Sequence, residues 1–296
     1  MSIPYVKRDE KGIPTLYVHD KPFFMRGGEI HNSSASDSAF LDEKLWPALR
    51  GLNLNSVIVP LYWELIEPAE GKYDFSLLDE MVASARWEGL KLCFLWFGLW
   101  KNAESFYVPA WMKKDTETYF RAEKVNGEKM KTISPLCTAA VEKDRRAFTA
   151  VMRHIKEIDE YENTIVVMQV ENEIGLLGTD RDYSPAANAA FNRPIPEKLG
   201  DELGGLRGTW KELSATTRAS FSWHGTLQAL SRPLPPPARR NTICPATPTP
   251  GCARAPGSPA LIPPAALSPG CRPSGARRPR ASSPSARISM CPTART

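Results

Sequence analysis

Histidine and cysteine are scarce in this 296-residue sequence, with four and six copies respectively. No spacing of His19, His31, His154 and His224 relative to the cysteines resembles a zinc site. No metal or other cofactor is therefore expected. No stretch reaches the roughly 18 apolar residues that a membrane helix needs. The N-terminus also lacks a basic segment followed by an apolar run. Together these predict a cytoplasmic protein with no membrane partner, unless an upstream start extends the chain. The sharpest absence is regional: from Ser214 to Thr296 there is no Asp, Glu or Lys at all.

That stretch holds 11 of the 38 Lys and Arg residues, all of them Arg, and 16 of the 27 prolines. Residues 1–213 carry the other 27 basic side chains against 33 acidic ones, a net charge of −6. The overall charge of +5 and the pI near 8.8 thus come from the tail. Three readings of the tail compete: an Arg-rich arm for nucleic acid, a disordered Pro-rich linker, or out-of-frame translation of a GC-rich gene. The joint loss of Lys and acids favours the last, as do the scattered tryptophan and Cys244, Cys252, Cys271 and Cys291. No nucleic-acid partner is expected. None of the three readings builds a packed core, because apolar residues recur at neither structural period. The sequence therefore divides into 1–213 and an unstructured 214–296.

Residues 1–213 alternate between strand and helix signals. Leu16-Tyr17-Val18 and Phe23-Phe24-Met25 flank the turn residues Asp20-Lys21-Pro22, which predicts a short hairpin before the first strand of the main sheet. A helix is expected over about 38–50, with Leu41, Leu45, Ala48 and Leu49 on one face and Pro47 limiting its regular part. The strand Ser56-Val57-Ile58-Val59 follows. Ser76 is then read as the start of a second helix, with Asp79 completing an approximate capping box and Leu78, Val82 and Ala85 inward.

A third strand covers Leu92–Phe97, in which Cys93 reads as a small buried hydrophobe. A third helix, about 139–159, packs Val141, Phe148, Val151, Met152 and Ile155. The fourth strand contains the apolar run Ile165-Val166-Val167-Met168. This β-α-β-α-β-α-β order fits half of a (β/α)8 barrel. A doubly wound open sheet gives the same order, but no Gly-rich phosphate loop follows the first strand.

The fourth strand runs into Gln169-Val170-Glu171-Asn172-Glu173-Ile174-Gly175. An Asn-Glu pair at the C-terminal end of a parallel strand lies where a barrel keeps its chemistry. A carboxyl held at the edge of a barrel core is a candidate proton donor; a solvated strand cap is the other reading of these residues.

Four ordered blocks resemble the catalytic barrel of family 35 β-galactosidases, with family 42 as close relative. They are Gly28-Glu29-Ile30-His31; Gly51-Leu52-Asn53; Trp63-Glu64-Leu65-Ile66-Glu67-Pro68 with Gly71-Lys72-Tyr73-Asp74-Phe75; and the Gln169–Gly175 run. The resemblance covers about residues 10–213. It implies an incomplete (β/α)8 barrel holding strands one to four. It also implies a retaining hydrolase of terminal β-galactosides, with an oligosaccharide or a polysaccharide side chain as partner, or else a relative acting on β-mannosides or β-glucosides. A non-catalytic carbohydrate-binding fragment is a further alternative.

By this resemblance Glu173 is the proton donor and Asn172 holds the sugar 2-hydroxyl, while Glu171 points to the other face and is structural. Trp63, Glu67, Asp74 and Phe75 read mainly as fold-determining, and Trp96, Trp100 and Tyr107 as either sugar platforms or core. Two departures stand out. The family's Cys-Ala-Glu-Trp after strand three, whose Glu binds galactose, is replaced by Trp100-Lys101-Asn102-Ala103-Glu104, so Asn102 or Lys101 is expected to replace that contact. Pro60 stands where the family has Tyr. The nucleophile, implied at the end of strand seven, is absent, because none of Glu197, Glu202 and Glu212 follows an apolar strand.

Overall fold

The computed structural model describes residues 2–202, 204–216 and 246–248. They belong to one compact unit, Met1–Ala253; the second unit, Arg254–Thr296, lies outside the described residues. The chain begins with an antiparallel meander of β1 (Tyr5–Arg8), β2 (Pro14–Val18) and β3 (Lys21–Pro22). The anticipated hairpin is β2–β3, closed by His19 and Asp20 at φ 50° and 61°. Those left-handed values define the two-residue turn that matches strand twist. The Phe23–Met25 run is not a strand, and β1 was not foreseen.

β4 (Gly27–Glu29) opens the main sheet. The helical run after it is α1 (Ser38–Phe40), a π-helical turn (Leu41–Leu45) and α2 (Trp46–Leu49). Pro47 has no N–H to give the i→i−4 ladder, and the wider turn just before it, with Trp46 N–H donating to the Leu41 carbonyl, takes up the irregularity. The single regular helix anticipated here is thus broken into three pieces.

β5 (Ser56–Tyr62) pairs parallel with β4, but only through Ser56–Ile58. Ile58 accepts from Ile30 N–H at 3.1 Å on the β4 side. Side alternation puts the nitrogen of Pro60 on that same side, past the end of β4, so its missing donor breaks no ladder bond. After α3 (Trp63–Ile66) comes α4 (Ser76–Trp87), whose buried stripe is Leu78, Met81, Val82 and Ala85. Its N-terminus is held differently from the capping box read in the sequence. Asp74 Oδ1 accepts from Ser76 N–H at 2.9 Å and Ser76 Oγ at 2.6 Å, while Asp79 contacts His154.

β6 (Lys91–Phe97) pairs along its whole length with β5. The long connection after it holds α5 (Ala110–Lys114) and an antiparallel hairpin of β7 (Arg121–Glu123) and β8 (Lys129–Ile133). α6 (Thr138–Asp159) then buries Ala140, Ala147, Phe148, Val151, Met152 and Ile155. β9 (Ile165–Val170) lies parallel beside β6. α7 (Pro185–Phe191), α8 (Glu197–Glu202) and α9 (Trp210–Thr216) follow. Finally β10 (Ala246–Pro248) pairs parallel with β9 at Met168–Val170. Against the expectation of an unstructured 214–296, α9 runs on to Thr216 and Ala246–Pro248 forms a strand; the remainder, 217–245 and 249–296, lies outside the described residues.

The sheet order is therefore β10-β9-β6-β5-β4. β4, β5, β6 and β9 with their intervening helices are the first four units of a (β/α)8-type barrel, an α/β fold. β5 and β6 are apolar almost throughout because both of their faces are covered. Trp63, Trp96 and Phe148 form the aromatic bridge between sheet and helices. Among the described residues no helix is long and apolar enough to cross a membrane.

Candidate active site at the strand ends

The parallel strands deliver their C-terminal residues to one edge of the sheet. β4 brings Glu29, β6 leads into residues 98–104, and β9 leads into Glu171, Asn172 and Glu173. The last two segments are stitched together. Asn172 N–H donates to the Trp100 carbonyl at 3.3 Å, and Ala103 N–H to the Glu173 carbonyl at 2.9 Å. The Glu171 carboxyl accepts from Leu99 N–H at 3.2 Å and from Trp100 N–H at 2.8 Å. Gln169 Nε2 donates to the Glu171 carbonyl at 3.1 Å. Glu171 and Glu173 both have left-handed backbones, at φ 62° and 49°. A non-glycine residue holds that conformation only where its surroundings impose it, and these bonds impose it.

Lys101 and Asn172 meet directly: Nζ donates to Oδ1 at 2.7 Å, with both residues buried. The ammonium also lies 4.9 Å from the centroid of the Phe97 ring. Burial pulls the Lys101 ammonium below its ordinary pKa, while the charges of Glu173 and Glu29 work the other way. The site is thus a cation within electrostatic reach of two carboxylates, beside an amide of fixed orientation. Trp100 is buried next to it, and its indole Nε1 has no hydrogen-bond partner among the described residues.

The structure brings Trp100, Lys101, Asn172 and Glu173 together, but Asn102 is set apart. Asn102 and Ala103, at φ 54° and 59°, are the central pair of a tight turn closed by two backbone bonds between Lys101 and Glu104. Asn102 is exposed at its tip, where tolerance of the left-handed region accounts for the residue type. Trp96 is wholly buried and donates from its indole to Asp144 Oδ1 at 2.9 Å, which places it in the core. Tyr107 packs against the rings of Tyr62 and Phe97. Trp63 donates to Glu67 Oε2 at 2.7 Å, and Gly71 N–H to Glu67 Oε1 at 2.7 Å, so that pair fastens the loop after α3.

Asp144 is the residue that sequence reasoning missed. It is half-buried on α6, one turn from each of the buried Ala140 and Phe148. A lone acid on an apolar helix face was a usable signal. Its Oδ1 and the Glu171 Oε1 both close on the backbone of Gly98, and each carboxyl acts on the titration of the other. A cavity of about 300 Å³ lined by Ser36, Asp37, Tyr62, Asp74 and Glu80, among others, includes none of these strand-end residues. Among the described residues, no three His, Cys, Asp or Glu side chains converge as a metal site.

A family model for glycoside hydrolase 42, described as beta-galactosidase, matches residues 47–216. The human protein beta-galactosidase-1-like protein 2 is 28% identical over 204 residues, covering 64% of this chain and 29% of the relative. A beta-galactosidase from Xanthomonas manihotis is 27% identical over 199 residues, covering 63% and 29% respectively. The chain therefore spans less than a third of the length of these relatives. Of solved structures, a beta-galactosidase from Bacillus circulans sp. alkalophilus aligns with a TM-score of 0.46 and 21% identity, covering 67% of this chain and 26% of that one. The exo-beta-1,4-mannosidase Op5Man5 from Opitutaceae bacterium strain TAV5 aligns at 0.39 and 18%, covering 63% and 29%.

Proposed function

Because this chain belongs to glycoside hydrolase family 42, the beta-galactosidase family, we propose that Glu173 is the proton donor of a retaining site for terminal β-galactosides. The observation that carries this reading is the stitched strand end. Asn172 and Glu173 leave β9 side by side, fixed against the loop after β6, with Lys101 bonded to the amide.

In a retaining reaction the donor carboxyl protonates the glycosidic oxygen as a second carboxylate, about 5–5.5 Å away, attacks the anomeric carbon. Water, deprotonated by the same donor group, then releases the sugar from that covalent intermediate. Glu173 is assigned the first role. The Asn172 amide is assigned to the 2-hydroxyl, and Trp100 to the edge of the sugar pocket. The nucleophile implied at strand seven is not among the described residues, so the 296-residue chain is proposed to carry the donor half of the site and to be inactive alone.

Two assays test this. The chain as it stands should not release aryl alcohol from an activated aryl β-galactoside, and Glu173-dependent turnover by it would refute the donor-half reading. Grafting strands five to eight of a family member after residue 213 should give activity. In that graft Glu173→Gln should slow substrates with poor leaving groups far more than activated ones, with azide restoring part of the rate. Equal losses on both substrates without azide rescue would make Glu173 structural.

A further inference from the structure

We propose that Asp144 is a positioning residue for Glu173: its carboxyl, packed beside that of Glu171 against Gly98, shares a proton with it, clamps Glu171 onto the Leu99 and Trp100 amides and so fixes the turn that presents Glu173. Calling this a contribution to catalysis rests on reading Glu173 as the proton donor; the clamp itself rests on geometry alone.

The clamp is built around Gly98. A β-carbon at that position would fall well inside van der Waals contact of Asp144 Oδ1, Trp96 Nε1 and Glu171 Oε1. The three groups therefore close on the bare backbone between β6 and the site loop. Asp144 as a residue keeps some solvent contact, yet desolvation is the largest influence on its carboxyl, as on that of Glu171. Two carboxylates are acceptors only, so a bond between them requires a shared proton. That proton lets Asp144 and Glu171 sit together while Glu171 still accepts from both amides.

The other groups acting on the pair are the Trp96 indole from β6 and the charge of Glu67 after α3; Glu67 is itself held by Trp63 and Gly71. None of these groups is cationic, so nothing replaces the proton if it leaves. Burial and the partner's charge accordingly hold the Glu171 carboxyl well above the usual carboxylate range. The chain of effect to Glu173 is short. Leu99 and Trp100 are fixed by Glu171, the Trp100 carbonyl holds Asn172 N–H, and Ala103 N–H holds the Glu173 carbonyl.

The test is amide hydrogen exchange and carboxyl 13C NMR on the full 296-residue chain, wild type, Asp144→Leu and Asp144→Asn. In the leucine variant the Trp100, Ala103 and Asn172 amides should exchange about tenfold faster or more, with Val151 and Ile155 of α6 unchanged. The Glu173 side-chain 13C shift should move with them. Asparagine keeps a donor for Glu171, so it should restore the protection while the Glu171 titration falls toward the ordinary carboxylate range. Unchanged exchange in the leucine variant overturns the proposal, as does equal acceleration of α6 and loop amides. If Asp144→Leu fails to fold, the wild-type titration decides: a Glu171 carboxyl titrating like an exposed one overturns it. A null effect of Glu173→Gln in the grafted enzyme would sink the proton-donor reading without altering these shifts.

Discussion

Lys101 Nζ donates to Asn172 Oδ1 at 2.7 Å, and this one bond decides which way the Asn172 amide faces. An ammonium has no acceptor, so the carbonyl end must point at Lys101 and the Nδ2 donors point away from it. That leaves a donor for a ligand hydroxyl, the role proposed for Asn172. Lys101→Met should release the amide to sample both orientations. The lost charge-assisted bond is worth about 1.5–3 kcal/mol, less the relief of leaving no ammonium buried, so the net cost should sit at the low end. NOEs from the Asn172 Nδ2 protons, compared with the denaturation midpoint, check this. Unaltered NOEs in the variant would mean that Lys101 does not orient the amide.

Gly98 has no room for a side chain. Adding a methyl group there displaces Asp144, Trp96 or Glu171 from its present contact. Gly98→Ala is expected to cost about 1–3 kcal/mol, the usual range for overpacking a filled site. A urea melt showing no loss would contradict the close approach.

Asp159 ends α6 and ties that end to the start of β9. Its wholly buried carboxylate accepts from Thr164 N–H at 3.0 Å, Ile165 N–H at 2.7 Å and Arg86 at 2.6 Å. Asp159→Ala strands two buried amides and a guanidinium, for an expected loss of about 3 kcal/mol. Asp159→Asn keeps one acceptor and should lose less. Equal stability of the two variants would show that the amides find other partners.

The parts legible in the sequence were those with an unambiguous period. Leu92–Phe97 and Ile165–Met168 are apolar runs of strand length, and Leu78–Val82–Ala85 and Phe148–Val151–Ile155 repeat at the helical period; all four are where they were read. The β7–β8 hairpin was lost inside a long connection, although Asn126-Gly127 between Arg121–Glu123 and Lys129–Ile133 is a strong turn signal. Its strands are too short and polar to show alternation. The start of α4 at Ser76 is where it was read, but the capping box with Asp79 is not formed: Asp74 and Ser76 are both good capping types, and the Asp74 carboxylate takes the Ser76 amide while Asp79 turns to His154. At the site, Asn172, Glu173 and Lys101 were visible as residues of a strand-end motif. The approach of Asp144 to Glu171 at Gly98 was not, since a contact between positions 27 residues apart depends on how α6 lies over β9.

Cys93 and Cys137 are enclosed by the core. Burial, helped by the charge of Glu29, pushes the Cys93 thiol up to about 12, and thiolate is the reactive form. Residue-resolved mass spectrometry after brief alkylation at pH 8 should find Cys93 unlabelled in native protein and labelled in denaturant. Labelling of Cys93 at the same rate in both would show that β6 is not packed.

Stability should fall as the pH rises above the ordinary glutamate range. The folded pKa of Glu171 is raised, by desolvation first and Asp144 second. Above 4.5 the unfolded chain has released a proton that the folded chain still holds, so the native state loses ground until Glu171 itself ionises. Glu142 acts oppositely: Arg145 and Arg146 hold its carboxyl down to about 2, so its contribution is present above 4.5 and fades as the pH falls toward 2. That cluster is solvent-exposed, and its share should be the smaller one. The two effects oppose each other: Glu142 favours the native state above 4.5, and Glu171 disfavours it there. Replacing Asp144 by Asn removes the like charge that raises Glu171, so the variant should show a shallower decline on the alkaline side. Urea midpoints measured from pH 3 to 9 check both statements. A wild-type midpoint that climbs steadily from pH 5 to 8, with the variant following the same curve, would mean that no proton is shared between Asp144 and Glu171.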